Sequence, residues 1–488
     1  MNPFKLLGVL LITLLITTLT PTLLSSSDDR VLVEVLLDRS ISDDDLKLIS
    51  RLGGEVVYRF DEIRGLVVLI SEKLINDLVK VLGNVRSVGK AGIVRPLSEE
   101  LPSSCELHNT VLTWNLDLIN IPTVHEVYGL SGSGVYIAVL DTGLEPHWRN
   151  YFSEDSIVRE YATAFLGPRA STNRNAWEAD SVGHGMAVTA VILGFKVYDL
   201  YVVDGVAPEV KIIPVKVIGN QGWGWTSDLA AGIHYIAKLF YLENLTGGKV
   251  LDPPDIVNPV IISLSVGSLY PSDLVKAVID YALSVGVFIV AAAGNEGLKG
   301  MVYPAAYPEV ISVGAVGWVG QFSIDRWWRS ADVPERLSKQ VYIPDFSSRA
   351  LEGQELDVLA PGAYIVLPYT LYGTAHPPLQ AIEAVPDQYY YLSGTSFAAP
   401  HVSGVIALIL QKDLSDGMLD LNQLSVEKLL KKAAFKINWH KAKVYDPIVG
   451  DYITYSWGVD ALGSGLVLAD KVVEATPIKL KHLFLPHT

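Results

Sequence analysis

The chain has 488 residues, with 38 Lys and Arg against 53 Asp and Glu, a net charge of −15. Half of it is hydrophobic and 19% is charged, which excludes a largely disordered chain, and the acidic balance without a basic block excludes binding to nucleic acid by phosphate attraction. Cys105 is the single cysteine, so an internal disulfide and a Cys-based metal site are both excluded, and at about 150 residues per domain the length allows roughly three domains.

In chain order, Lys5 precedes an apolar run from Leu6 to Leu19, followed by Pro21 and by Ser25, Ser26 and Ser27. One positive charge, an apolar stretch and a small-residue exit form an export-signal pattern over residues 1–27. Phe4 to Leu24 also spans 21 residues, long enough for an uncleaved anchor. Thr13, Thr17, Thr18, Thr20 and Pro21 dilute the run and favour the signal. Either reading puts the remainder outside the cell, secreted or held at its surface, with membrane contact confined to this segment.

Residues 28–96 read as a small unit of their own. Val31 to Leu37 is strand-like; Ser42 caps a helix that starts with Asp43, Asp44 and Asp45 and carries Leu46, Ile49 and Leu52 on one face. Gly53-Gly54 ends it. Val56 to Phe60 and Leu66 to Ile70 are further strands. Ser71 is expected to cap a second helix running to Leu82, and Asn84 to Val88 closes a β-α-β-β-α-β order, the pattern of a ferredoxin-like α+β sandwich. Residues 97–109, with Pro102, Ser103 and Ser104, form a breaker-rich link. Cys105 lies in it, with no neighbouring His and no role assigned.

Residues 110–488 alternate apolar strands with helical stretches. Val135–Leu140, Val210–Val217, Val260–Leu264, Val287–Ala292 and Val310–Val313 are strand-like; Leu229–Phe240 and Ser272–Val285 are helical. Continuous apolar strands alternating with helices predict an α/β fold, a mainly parallel sheet flanked by helices.

Four motifs carry chemistry. Strand 135–140 runs into Asp141-Thr142-Gly143, which places a carboxylate where parallel sheets build their sites, although such an Asp also serves as a helix cap. Gly183-His184-Gly185 opens an apolar helix and leaves the imidazole approachable. Gly394-Thr395-Ser396 stands at the start of another, where free N–H groups can stabilise an oxyanion. Asn295, between Gly294 and Gly297 after a buried strand, can donate its amide to a transition-state oxygen.

The order Asp141, His184, Asn295, Ser396 resembles that of the subtilisin-like serine proteases (subtilases). "AVLDTGL", "GHGMAV", "GVAPEVKIIPVKV", "ISLSVG", "VAAAGNEG", "YPAAYPEVISVGAV", "FSSRA", "DVLAPG" and "GTSFAAPHVSG" match in kind and order over nearly the whole chain. The resemblance implies an exported serine endopeptidase, with Ser396 as nucleophile, His184 as general base, Asp141 orienting the imidazole and Asn295 with the Ser396 N–H binding the oxyanion. It implies that the small N-terminal unit is an inhibitory propeptide and folding aid, cut from the catalytic domain within Leu97–Asn109. Peptide or protein substrates and the chain's own propeptide are the implied partners. The sequence departs from the family at Met186-Ala187 after "GHG", at Ser263 and Val266 in "ISLSVG" and at Ala350 in "FSSRA". An inert binding module with this fold is disfavoured by the intact constellation. A Ser–Glu–Asp carboxyl peptidase is disfavoured by His184 and Asn295.

By the same resemblance, Ser265, Val266 and Gly267, with Ala292, Ala293 and Gly294, wall the pocket for the residue preceding the scissile bond, and Val302 stands near its floor. That set favours an apolar residue, with the substrate lying along 265–267 as an added strand. No cofactor is needed for the chemistry. Structural calcium is common in the family, but the loop from Gly194 to Asp204 offers Asp199 and Asp204 as its carboxylates, short of the about six to eight oxygens calcium takes. Stretches 241–255 (with the sequon Asn244-Leu245-Thr246), 318–345 and 368–388 read as insertions over the family minimum.

Overall fold

The structure is a computed structural model that describes residues 29–97, 114–167, 174–197, 201–246, 259–321, 333, 340–369, 388–416, 418–446 and 450–477. The signal or anchor segment, Cys105, most of the 97–109 link and much of the three insertions lie outside the described residues.

The small unit runs β1 (Arg30–Leu37), α1 (Asp43–Arg51), β2 (Glu55–Phe60), β3 (Gly65–Ser71), α2 (Ile75–Leu82), β4 (Val85–Lys90) and β5 (Ile93–Pro96). Its four-stranded sheet has the order β2-β3-β1-β4, with antiparallel neighbours. This is the expected β-α-β-β-α-β sandwich. Ser42 caps α1 in a reciprocal box with Asp45, whose carboxylate is also held by Arg39. The expected Ser71 cap differs: its hydroxyl donates to Asp29, and a short 3-10 turn, Glu72–Leu74, comes before α2. Strand periodicity divides the apolar residues between two faces. Val33, Val35, Leu37, Leu66, Val68 and Ile70 build a private core with Ile49, Leu78 and Leu82 from the helices. Leu32, Leu36, Phe60, Val67 and Leu69 face the other way and join the core of the large domain.

The large domain is introduced as β6 (Tyr136–Asp141), β7 (Thr163–Ala164), α3 (His184–Leu193), β8 (Lys211–Lys216), β9 (Gly224–Trp225), α4 (Thr226–Thr246), β10 (Val260–Leu264), β11 (Val266–Gly267), α5 (Asp273–Ser284), β12 (Phe288–Ala292), β13 (Ile311–Trp318), β14 (Val341–Tyr342), β15 (Val358–Pro361) and α6 (Thr395–Asp413). Its eight-stranded sheet is ordered β14-β13-β12-β10-β6-β8-β7, with β15 also on β13; every pairing is parallel except that of β13 with β14. Helix pairs α3–α6 and α4–α5 pack on this sheet, whose central strands are buried throughout and therefore read as unbroken apolar runs.

Candidate active site

Asp141 is the last residue of β6, at the C-terminal end of a central parallel strand. His184 is the first residue of α3, behind Gly183, whose φ of 82° is left-handed and suits glycine. Ser396 is the second residue of α6, after Gly394 at φ 152°. Each side chain thus sits where an element begins or ends, and all three are buried.

His184 Nδ1 lies 2.7 Å from Asp141 Oδ1. A carboxylate accepts, so the proton resides on Nδ1 and Nε2 is left as an acceptor. Nε2 has no hydrogen-bond partner among the described residues. Ser396 Oγ donates to the Ser265 carbonyl at 3.0 Å, and Ser265 Oγ donates to the Ser396 carbonyl at 2.7 Å. The His184 and Phe397 rings, 5.8 Å apart, place the imidazole against the start of α6.

Asn295 is oriented by its own contacts. Its Oδ1 accepts from the Thr395 N–H and hydroxyl, both at 3.0 Å, which turns the Nδ2 donor the other way. That donor is 2.6 Å from the Leu97 carbonyl, and the Ser396 N–H reaches the same oxygen at 3.3 Å. Two donors from separate elements therefore converge on one peptide carbonyl of the chain itself.

The residues before Leu97 occupy the cleft as a strand. β5 pairs antiparallel with β11 on one side (Pro96 with Val266, Arg95 with Gly267) and with β9 on the other (Val94 with Gly224, Ile93 with Trp225). Leu97 N–H donates to the Ser265 carbonyl at 3.1 Å. The sequence expectation for 265–267 as a strand-pairing edge thus meets a strand already seated there. Sequence reasoning missed β5, which it read as the end of the small unit and the start of a link, and it missed β9. Gly-Trp-Gly-Trp at 222–225 gave no strand periodicity to find it by.

Val302 lies between two of the expected walls. A Cβ on Gly267 would come 2.5 Å from Val302 Cγ2, and one on Gly294 would come 2.8 Å from Val302 Cγ1. Val302 N–H donates to the Ala293 carbonyl. Ala292 is set differently, inside the sheet at the end of β12 opposite Val313. Residues 194–197 and 201–204 pair antiparallel, with Asp204 exposed, while Asp199 lies outside the described residues. Among the described residues no group of three or more His, Cys, Asp or Glu is gathered where it could hold a metal ion.

The small unit is also fixed by polar contacts with α4 and α5. The buried Glu34 accepts from Thr226 Oγ1 at 2.5 Å and from Ser272 Oγ at 2.6 Å, at the starts of those two helices. Tyr58 donates to Asp228 at 2.8 Å, and Glu62 meets His234 at 2.8 Å and Lys238 at 2.9 Å. Burial raises the Glu34 carboxyl and pushes Asp228 up to about 7.

A buried triad-like set beside two convergent N–H donors on an α/β sheet defines a hydrolase of the subtilisin type, and the comparisons agree. Residues 132–459 match the model of the Subtilase family, and the chain belongs to that family. By that membership it is a subtilisin-like serine endopeptidase, a hydrolase of peptide bonds. It is 29% identical over 371 residues to subtilisin E of Bacillus subtilis, covering 75% of each chain. It is 26% identical over 391 residues to M-protease of Shouchella clausii, covering 80% of each. Among solved structures, fervidolysin from Fervidobacterium pennivorans, described as a keratinolytic enzyme related to subtilisin, shares the fold at a TM-score of 0.63 and 22% identity. That match covers 92% of this chain, which spans 62% of the fervidolysin chain.

Proposed function

We propose that the protein is an exported endopeptidase made as a self-inhibited precursor, with Asp141, His184 and Ser396 as its catalytic residues and residues 28–97 as its propeptide. The observation that carries this reading is the Leu97 carbonyl, held by Asn295 Nδ2 and the Ser396 N–H with Leu97 at the end of a strand paired on both sides. It lies as the carbonyl of a scissile bond should, which assigns the first cut to Leu97–Ser98.

The chemistry follows. Ser396 turns about χ1 from the Ser265 carbonyl to His184 Nε2, gives up its proton there, and its Oγ attacks the Leu97 carbonyl carbon. The oxygen becomes an anion between the two donors, each worth ~100- to 1,000-fold in rate. Asp141 steadies the imidazolium, which then protonates the departing Ser98 amine. Water, deprotonated by His184, releases Leu97 from the acyl-enzyme. The new C-terminus remains in the cleft through its main-chain pairing, so the product inhibits.

Substrate preference follows from the seated strand. Leu97 and Val94 are buried and Arg95 is exposed. Peptides with an apolar residue before the cut and a second three residues upstream fit this cleft. Export rests on the 1–27 segment; among the described residues no helix is long and apolar enough to cross a membrane.

The test is labelling by a serine-directed organophosphonate together with hydrolysis of a matched peptide. Ser396 is labelled in the mature wild type. Ser396→Ala loses both readouts, and Asn295→Ala loses most but not all of its turnover. Turnover at the wild-type level in Ser396→Ala would overturn the assignment.

A further inference from the structure

Behind the Asp141–His184 pair lies a second polar group that the chemistry above does not use. Asp180, Thr142 and Lys216 are 3%, 0% and 1% exposed. Asp180 Oδ2 accepts from the Thr142 hydroxyl at 2.6 Å and from the Gly183 N–H at 3.0 Å; its Oδ1 accepts from the Val182 N–H at 2.8 Å. Lys216 Nζ stands 3.8 Å from Asp180 Oδ1 and donates to the Thr142 carbonyl. The Thr142 hydroxyl accepts from the Gly185 N–H at 2.8 Å, and the Thr142 N–H donates to Asp141 Oδ1 at 2.7 Å. Lys216 lies directly across the sheet from Asp141, in register on β8.

Desolvation makes a buried ion pair a poor source of stability; apolar residues of similar volume often serve as well. What they could not do here is join two loops. Thr142 follows Asp141, and its hydroxyl bonds on one side to the carboxylate that holds the N–H groups of Val182 and Gly183, on the other to the N–H of Gly185. Those three N–H groups flank His184. Three backbone groups at the entry of α3 are thereby tied to the end of β6.

We propose that Thr142, Asp180 and Lys216 are positioning residues for proton transfer, locking the loop that carries His184 to the strand that carries Asp141 so that Nε2 is presented to Ser396. Lys216 anchors the Thr142 carbonyl and neutralises Asp180. This rests on the proposed triad. Its effect falls on the chemical step, because none of the three touches the β5 strand in the cleft. A misplacement of about 1 Å between reacting groups costs on the order of a hundredfold in rate.

The test uses the full-length precursor, in which the Leu97 carbonyl is already held by both donors, so the self-cleavage rate is first order and free of any binding step. Thr142→Val keeps the shape and removes the hydroxyl. It slows self-cleavage about 10- to 100-fold, and in the matured enzyme it lowers kcat per phosphonate-titrated site while KM stays within about twofold. Thr142→Ser restores most of the rate, which a role in packing alone would not give. Should Thr142→Val fail to accumulate folded, the isosteric Asp180→Asn is read in the same way. Self-cleavage of Thr142→Val, or of Asp180→Asn in its place, at the wild-type rate, or a loss confined to KM or to the fraction of titratable sites, overturns the proposal. Ser396→Ala run alongside separates the two readings: if that variant still cleaves itself, the triad assignment has failed, and this inference with it.

Discussion

The two largest sheets among the described residues are covered in different ways. The eight-stranded sheet carries helix pairs α3–α6 and α4–α5 from its own domain. The four-stranded sheet has α1 and α2 on one face, and on the other it presents Leu32, Leu36, Phe60, Val67 and Leu69 to α4, α5 and the core beneath them. One unit is complete by itself; the other is complete when docked. A unit of about seventy residues with half of its sheet uncovered has little margin, since a small core rarely supplies more than ~3–5 kcal/mol. The difference suits a segment that has to fold with its partner, block it and then be lost.

The largest effect that would break this comparison concerns the isolated unit. Residues 28–97 alone are expected to show little ordered structure by near- and far-ultraviolet circular dichroism. They should gain it on addition of a Ser396→Ala large domain. A cooperative unfolding transition of the isolated unit would contradict the comparison.

Next in size is the polar clamp. Glu34 points to the docking side of β1 among apolar neighbours, where burying it is acceptable because Thr226 and Ser272 both donate to it. Glu34→Ala removes two hydrogen bonds, together ~2–3 kcal/mol, and should weaken inhibition by the unit added in trans roughly 30- to 140-fold. An unchanged inhibition constant would mean that the apolar face alone sets affinity.

Smaller again is a dependence on pH. Burial holds the Asp228 carboxyl at about 7, so it keeps its proton in the complex over a range where a separated, solvated carboxyl has lost it. Its contribution to affinity is therefore complete below the ordinary carboxylate range and is lost as pH rises toward 7. Burial lowers His234; Glu62, for which burial acts upward, is held down near 2 by the hydrogen bonds of Lys238 and His234. These act with the opposite sign, but they are common to the wild type and an Asp228→Asn variant. The ratio of the two affinities isolates Asp228. It should shift in favour of the variant by up to about tenfold per pH unit between pH 4 and 7 and level off above; a ratio flat across that range would remove Asp228 from the account.

The smallest concerns the pocket. With Val302 between Gly267 and Gly294, Val302→Gly deepens the space beneath the residue before the cut. The ratio of kcat/KM for Phe over Leu should rise about 10-fold or more in matched peptides, at some loss of stability. If wild type already prefers Phe and the substitution changes nothing, Val302 is not the floor.

Much of this was legible in the sequence. The β-α-β-β-α-β order and the parallel strands follow from periodicity; Asp141, His184, Asn295 and Ser396 stand out at element ends, and their proposed roles come from the resemblance to the subtilases. Two things were not. β5 is four residues ending in Pro96, without a periodic pattern, and it is a strand because β9 and β11 flank it. The positioning group is tertiary: Lys216 ends an apolar strand and Asp180 lies four residues before His184, and nothing local says that they meet. A clue to docking was present in β1 and β3, Val-Leu-Val-Glu-Val-Leu-Leu and Leu-Val-Val-Leu-Ile, which are apolar on both faces as strands buried on both sides are.

The central claim is that the chain cuts itself after the residue whose carbonyl sits between Asn295 and Ser396. The direct measurement is the N-terminal sequence of the large fragment from precursor purified out of a protease-free host, beside Ser396→Ala. The expected result is a fragment that begins at Ser98 in the wild type and none in Ser396→Ala. A large fragment that begins elsewhere in the wild type, or the same fragment in both proteins, would contradict it.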